Sequence, residues 1–485
     1  AILMTIGLTV KLWGFDLEAY FRKTGKQRSH WWMSGFVHAD GYGYDPRIQF
    51  GQREAPVLCG RQSCFLVAAM RRELHRLDAA YPTRAPQATQ WLAARLAKSL
   101  NGSKGDLSSL FFLLMFVDDV GGASLDDPLY DHIGRPVMVL EEGVLRHQCR
   151  AELHYLAAIG MCQKFGHSDA VDKGAPPCYS MVFLGITISL PGRSLTLSKE
   201  KEKEYSKLLL SIVNGEDGVL TSNGLFATFD SFNSLVHKLL HACTVIVLGR
   251  QHLFYCLRSL RSPVVLRAGR MVPVSQLVVI ELRWWENALR IQSALGLPLA
   301  SRSVFPDPSS EGILIPYSDA SREIASPESS GWGAWAIFGG VVWYVEGRWL
   351  PWELESLSIN VLELAAMQFG TFTFIPHAIS LGIPVSHVME FTDNTSAEHS
   401  AERGKPKSER MYSLISYRYA QLSQMRVHSS VERVASVDND VADGLSRGGS
   451  KLVDALRIAA GTGMPCKRVA VPLAVRSLSH LRNLS

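Results

Sequence analysis

The stretch Leu110-Phe111-Phe112-Leu113-Leu114-Met115-Phe116-Val117-Asp118-Asp119-Val120-Gly121-Gly122 carries the decisive signal in this chain. An apolar run ends in two adjacent carboxylates and a glycine-containing turn. The run is shorter than the roughly 18 apolar residues of a membrane span and reads as a buried strand. Acids where such a strand emerges stand at a sheet edge, where they can share divalent cations with phosphate oxygens. An Asp pair is also ordinary turn chemistry, and Asp126-Asp127-Pro128 shows how common such pairs are. What separates the two is the company that Asp118 and Asp119 keep.

Upstream, Trp13-Gly14-Phe15-Asp16-Leu17-Glu18-Ala19-Tyr20-Phe21 places one Asp at the end of a short apolar strand, with an aromatic residue five positions later. Next come Phe50-Gly51-Gln52-Arg53-Glu54-Ala55-Pro56 and a helical apolar pattern through Phe65, Leu66, Ala69 and Leu74. Downstream lies Val182-Phe183-Leu184-Gly185-Ile186. In this order the pieces resemble the reverse transcriptase palm. The resemblance implies that Asp16, Asp118 and Asp119 hold Mg²⁺, or Mn²⁺ in its place, for two-metal phosphoryl transfer. Without cations, three clustered carboxylates would raise their own pKa values. It further implies that Phe21 stacks under the incoming sugar, that Gly51, Ala55 and Pro56 let the backbone approach the templating pair, and that Lys173, or alternatively Lys164, protonates pyrophosphate. Tyr20, Gln52 and Glu54 depart from the family pattern. So does the short lead before Asp16, where the family has a long fingers region; an N-terminally truncated piece of a polyprotein is expected.

A second constellation begins at Tyr317-Ser318-Asp319-Ala320-Ser321, followed by Gly331-Trp332-Gly333-Ala334. Glu363 follows in Asn360-Val361-Leu362-Glu363-Leu364, Asp393 in Thr392-Asp393-Asn394, and Asp443 in Val441-Ala442-Asp443-Gly444-Leu445-Ser446-Arg447. Carboxylates in the order Asp, Glu, Asp, Asp on a strand, a helix, a strand and a helix start resemble ribonuclease H. By that resemblance Asp319, Glu363, Asp393 and Asp443 hold two metals around the scissile phosphate of an RNA strand. RNA is selected through 2′-hydroxyl contacts across the minor groove of a hybrid. Asp438 and Asp440 compete with Asp443 for the last role, which the tract ending in Ser446-Arg447 favours, and Asn439 is expected to orient the loop.

Composition agrees with a large globular chain. The 485 residues are 47% hydrophobic and 20% charged, enough for about three domains with full cores. No charged leader or cleavage site opens the sequence, and its eight cysteines include no CxxC pair, so an intracellular, reducing compartment is expected, with no membrane partner. Net charge is only +5, but Ser231 to Ile280 holds no acid while carrying Lys238, Arg250, Arg258, Arg261, Arg267 and Arg270. Such a face would neutralise phosphates irrespective of base sequence, with Arg250, Arg258 and Arg261 as substrate-binding candidates.

The expected architecture is an α+β palm with incomplete fingers over residues 1–195 and a helical thumb and connection over 196–297. A linker over 298–312, an α/β ribonuclease H-like domain with a mixed sheet over 313–447, and a basic tail over 448–485 would follow. Helices split near Gly249, together with Glu281-Leu282-Arg283-Trp284-Trp285, resemble the thumb of DIRS-type retrotransposon reverse transcriptases, and a gypsy-like element is the other relative considered. The leading expectation is an RNA-directed DNA polymerase with ribonuclease H, whose partners are an RNA template, a DNA primer, an RNA/DNA hybrid and deoxynucleotide triphosphates. The alternatives are a truncated copy with ribonuclease H alone and a non-catalytic nucleic-acid-binding remnant.

Overall fold

The computed structural model describes residues 7–18, 20, 35–38, 41–44, 55–100, 110–170, 173–221, 224–266, 269–298, 312–323, 325–461 and 463–484. Phe21, Gly51 and nearly all of the expected linker lie outside the described residues. The chain divides into two compact units, one over 1–201 with 294–304 and one over 202–293 with 305–485.

In the first unit, strand β1 (Val10–Asp16) lies inside a sheet, between β3 (Asp119–Leu125) and β4 (Ala175–Cys178). Outside β3 runs β2 (Phe111–Phe116), joined to it by the two-residue turn Val117-Asp118. Helices α1 (Ala55–Ala80) and α2 (Arg150–Lys164) pack on one face, where Trp13, Phe15, Phe111, Leu113 and Val120 meet Leu66, Met70, Leu74 and Ala158. The expectation of a fully buried strand over Leu110–Val117 is corrected here. β2 is an edge strand with helices on one side only, so Phe111 and Leu113 are buried while Phe112 and Phe116 are 58% and 61% exposed.

The glycine pair after Asp119 has a packing reason. Gly122 stands opposite Trp13 in the β1–β3 ladder, and a Cβ there would come 2.3 Å from the indole ring. The second acid pair is structural. Asp127 receives Nε and Nη2 of the buried Arg150 at 2.7 and 3.1 Å, and Asp78 takes Nη1 at 2.6 Å. Asp126 pairs with Lys11 at 3.1 Å. A buried guanidinium needs its carboxylates, because removing one partner of such a pair typically costs 3–5 kcal/mol, roughly.

The segment expected to form a helical thumb also contains a four-stranded antiparallel sheet, in the order Gly218–Thr221, Gly224–Thr228, Gly269–Pro273, Val264–Leu266. Its short strands are rich in Val and Leu but lack a long alternation, which is why helical spacing dominates the sequence. The helices are α3 (Phe229–Ala242), α4 (Phe254–Arg261) and α5 (Gln276–Leu295), with a 3₁₀ turn over Val247–Leu253 where the break near Gly249 was expected. Glu281 of α5 is buried and accepts the backbone N–H groups of Tyr255 and Cys256 at 3.1 and 2.9 Å, supplying partners to the open start of α4.

The same unit holds a seven-stranded mixed sheet. β5 (Pro316–Ala320) pairs antiparallel with β6 (Gly331–Phe338), which pairs antiparallel with β7 (Val341–Arg348). Helix α6 (Ile359–Ser380) is buried over most of its length against this sheet. Beyond it, β8 (His387–Thr392) joins β5 and β9 (His428–Arg433) in parallel, with α7 (Glu409–Met425) between β8 and β9 in the chain and α8 (Asp440–Arg447) after them. The segment after Gly448 is not a loose basic tail. Cys466–Arg468 adds a parallel strand to β7, and Leu478 and Leu481 enter the core around α6. Arg476 grips the buried Glu353 with two nitrogens at 2.8 Å, so its charge is spent inside the fold.

Two glycines give opposite expectations for thermal denaturation. Gly122→Ala forces the indole of Trp13 to move and should destabilise by about 1–3 kcal/mol. Gly160, exposed on α2 with nothing within 4 Å of its would-be Cβ, should gain up to about 1 kcal/mol as Ala. Equal shifts for both would contradict the β1–β3 packing.

Candidate active sites

The β1–β3 register places Asp16 directly opposite Asp119. Their side chains share a hydrogen bond, and Lys173 Nζ lies 3.0 Å from Asp16 Oδ2. Burial, then the hydrogen bond and charge of Asp16, raise Asp119 to about 7. The hydrogen bond from Asp119, together with Lys173, holds Asp16 below the ordinary carboxylate range. Of the two, Asp119 is therefore the carboxyl that holds a proton more readily. Asp118 does not complete a close three-carboxylate group with them. It sits in the turn one residue before the strand, so its side chain is not in the register that brings Asp119 to Asp16, and it acts on Asp119 through charge. Of the two lysines considered, Lys164 acts on Glu73 and Lys173 reaches the acid pair. Ala55 and Pro56 open α1.

In the second unit three elements bring their acids together. Asp319 lies near the end of β5, Glu363 in the second turn of α6, and Asp393 just past β8. One carboxylate oxygen from each lies within 4.8 Å of the others. The parallel pairing of β5 with β8 sets Asp319 beside Asp393, and α6 brings Glu363 against them. Burial raises Asp319 to about 6 and Glu363 well above its ordinary value, and the neighbouring acids add to both. Glu363 Oε2 is buried with no hydrogen-bond partner. An orphaned carboxylate oxygen facing two more carboxylates fits a hard divalent cation such as Mg²⁺.

Asp443, in the first turn of α8, stands outside the close group but raises both Asp319 and Glu363 by its charge. Its Oδ1 is held by Arg447 Nε at 2.8 Å, while Arg447 Nη1 reaches Glu323 at 3.1 Å. Asp438 and Asp440 show no comparable effect on the group. Asn439 is buried and donates from Nδ2 to the carbonyl of Ser318 at 3.1 Å, tying the loop before α8 to the strand that carries Asp319. Sequence reasoning passed over Ser446, although it lies in the same tract three residues after Asp443. Its hydroxyl donates to Asp319 Oδ2 at 2.5 Å and fixes one oxygen of that carboxylate.

The acid-free basic segment is not acid-free in space. Arg258 forms a close ion pair with Glu409 of α7, and Lys238 lies 3.4 Å from Glu204. Arg250 instead sits among like charges. Its field and that of Arg403 lower the pKa of Lys405, so two distant segments form one cationic patch. Arg261 is exposed at the end of α4.

No family model matches the chain, and no curated protein matches it. Solved structures similar to it include foamy viral protease-reverse transcriptases and RNase H domains. The foamy viral protease-reverse transcriptase in complex with an RNA/DNA hybrid is 14% identical over 87% of this chain and 44% of its own, with a TM-score of 0.36. A foamy viral form in complex with double-stranded DNA is 12% identical over 87% of this chain and 56% of its own, again at 0.36. The N-terminal RNase H domain of a Mycobacterium tuberculosis protein is 21% identical over 32% of this chain and 99% of its own, at 0.22. The chain spans about half the length of the first two. Among the described residues no helix is long and apolar enough to cross a membrane.

The raised carboxyls give a signed pH dependence. Asp319 titrates near 6 when folded and near 4, roughly, when unfolded. The stability its proton supports is complete below the lower value and is lost as pH rises through the upper one. Glu363 acts in the same direction. His252, lowered by burial to about 4, acts oppositely in the acid range, so the comparison is with Glu363→Gln. In chelator, the melting temperature of the parent should fall relative to that variant as pH rises from about 5 to about 8, and Mg²⁺ should remove the difference. Parallel curves would contradict the burial of an ionisable Glu363.

Proposed function

We propose that this chain is a nucleic-acid enzyme with two phosphoryl-transfer sites, one cutting the RNA strand of an RNA/DNA hybrid and one extending a DNA primer on an RNA template. The single observation that carries the reading is the close group of buried Asp319, buried Glu363 and half-buried Asp393, with its orphaned Glu363 oxygen. Three acids within 4.8 Å of one another, two of them buried, call for a cation, and a divalent metal would supply Lewis-acid activation of water and charge neutralisation at phosphate. Asp319, Glu363 and Asp393 would hold it. Ser446 fixes the free rotation of Asp319, Asn439 holds the loop, and Asp443 stands ready to join once Arg447 releases it. The cationic patch of Arg250, Arg403 and Lys405 suits the backbone of a bound duplex.

The second site is supported by the Asp16–Asp119 register and by Lys173 beside it. There Asp16 and Asp119 would hold Mg²⁺, with Mn²⁺ as the alternative, Asp118 would add negative charge, and Lys173 would neutralise a leaving pyrophosphate. Deoxynucleotide triphosphates are the substrates of this reading, and an element of DIRS or gypsy-like type is its source.

Primer extension and hybrid cleavage, assayed on the same preparation, separate the sites. Asp119→Asn should lower extension by more than about a hundredfold, beyond what loss of an outer hydrogen-bond partner costs a metal site, and leave cleavage intact. Glu363→Gln should do the reverse. Loss of both activities in either variant, with folding preserved, would refute the two-site reading.

Salt dependence tests the patch. Arg250→Gln with Lys405→Gln should reduce the slope of log affinity against log salt by about 1–2 on a duplex. Arg258→Gln, whose charge Glu409 already engages, should change it less. The reverse order would remove the patch from the binding face.

A further inference from the structure

Tyr20 is one of the residues at which this chain departs from the palm pattern it resembles, placing a phenol where that family usually has a small side chain. It is 1% exposed, and its hydroxyl lies 3.0 Å from the hydroxyl of Ser63 on α1, itself 5% exposed. Ser63 Oγ donates to the carbonyl of Val117 at 2.9 Å. Either hydroxyl can donate in the bond between Tyr20 and Ser63. The chain of hydrogen bonds runs from Tyr20 through Ser63 to the turn between β2 and β3.

That turn needs support. Val117 has φ +61, a left-handed conformation that a β-branched residue adopts only under constraint. Its two carbonyls are both tied down. Ser63 holds that of Val117, and the backbone N–H of Leu17 donates to that of Asp118 at 3.0 Å. Leu17 directly follows Asp16 in the chain, and Tyr20 stands four residues after it. The segment bearing one acid of the pair thus anchors the turn leading to the other by two routes, one through backbone and one through Ser63.

We propose that Tyr20 and Ser63 are positioning residues that hold the Val117-Asp118 turn, and through it Asp119, in the register that faces Asp16. The bulky Tyr20 is a working replacement for the family's small residue, coupled to a serine forty-three positions away. This rests on the reading of Asp16 and Asp119 as a metal-holding pair.

The test uses the full chain with Glu363→Gln and Asp393→Asn, which silence the other site, and reads Mn²⁺ binding by calorimetry and amide exchange by mass spectrometry. Ser63→Ala and Tyr20→Phe should each weaken Mn²⁺ binding about three- to tenfold, the equivalent of one buried hydrogen bond, and speed exchange at Leu17 and across Val117–Val120. Tyr20→Phe combined with Ser63→Ala should be no worse than Ser63→Ala alone, and Ser63→Thr, which keeps the hydroxyl, should restore both readouts. Unchanged exchange at Leu17 in Ser63→Ala, or additive losses in the double variant, would overturn the proposal. Asp119→Asn separates the two claims. If it leaves Mn²⁺ binding intact, the metal reading fails, and the exchange data alone decide whether Tyr20 and Ser63 hold the turn.

Discussion

Mutual repulsion between carboxylates taken out of water is the constraint around which both units are arranged. Asp319, Glu363 and Asp393 come from three elements far apart in the chain, and bringing them together with two of them buried costs desolvation as well as charge repulsion. No hydrophobic gain within the group offsets that cost. The surroundings do: a seven-stranded sheet fixes two of the acids by register, and a buried helix fixes the third. Asp16 and Asp119 meet the same difficulty at smaller scale, hydrogen-bonded to each other with Lys173 beside them.

Much of this arrangement was legible in the residues because the acids sit at element ends, where spacing to glycine and apolar runs is informative. Asp319 near the end of a strand, Glu363 within a helix and Asp443 at a helix start all stand on elements of the expected kinds. Other features were illegible for stated reasons. Leu110–Val117 reads as buried because all its residues are apolar, yet burial depends on what covers the second face, and at an edge strand that is decided by tertiary packing. Asp118 and Asp119 are adjacent in sequence, and only the strand register distinguishes them. Ser446 carries no periodic signal, since one hydroxyl aimed at Asp319 is a matter of three-dimensional placement.

Charge was the least transferable quantity. A run of fifty residues without an acid reads as a cationic face, but Glu409 and Glu204, from elsewhere in the chain, engage Arg258 and Lys238. The converse holds for Arg250, which meets Arg403 and Lys405 only in the folded unit. Aromatic stacking runs alongside these pairs: Phe254 lies face to face with Tyr412 at 5.0 Å, so α4 and α7 are joined by more than an exposed ion pair.

The last forty residues bear on where this polypeptide can be divided. Ending a fragment just past Asp443, at Arg447, would strip the parallel strand from β7, leave the carboxylate of Glu353 buried without its guanidinium, and open the hydrocarbon interior where Leu478 and Leu481 sit. An excised fragment of this region that is to stay folded must therefore carry the chain on through Arg482, whose side chain lies over Trp352.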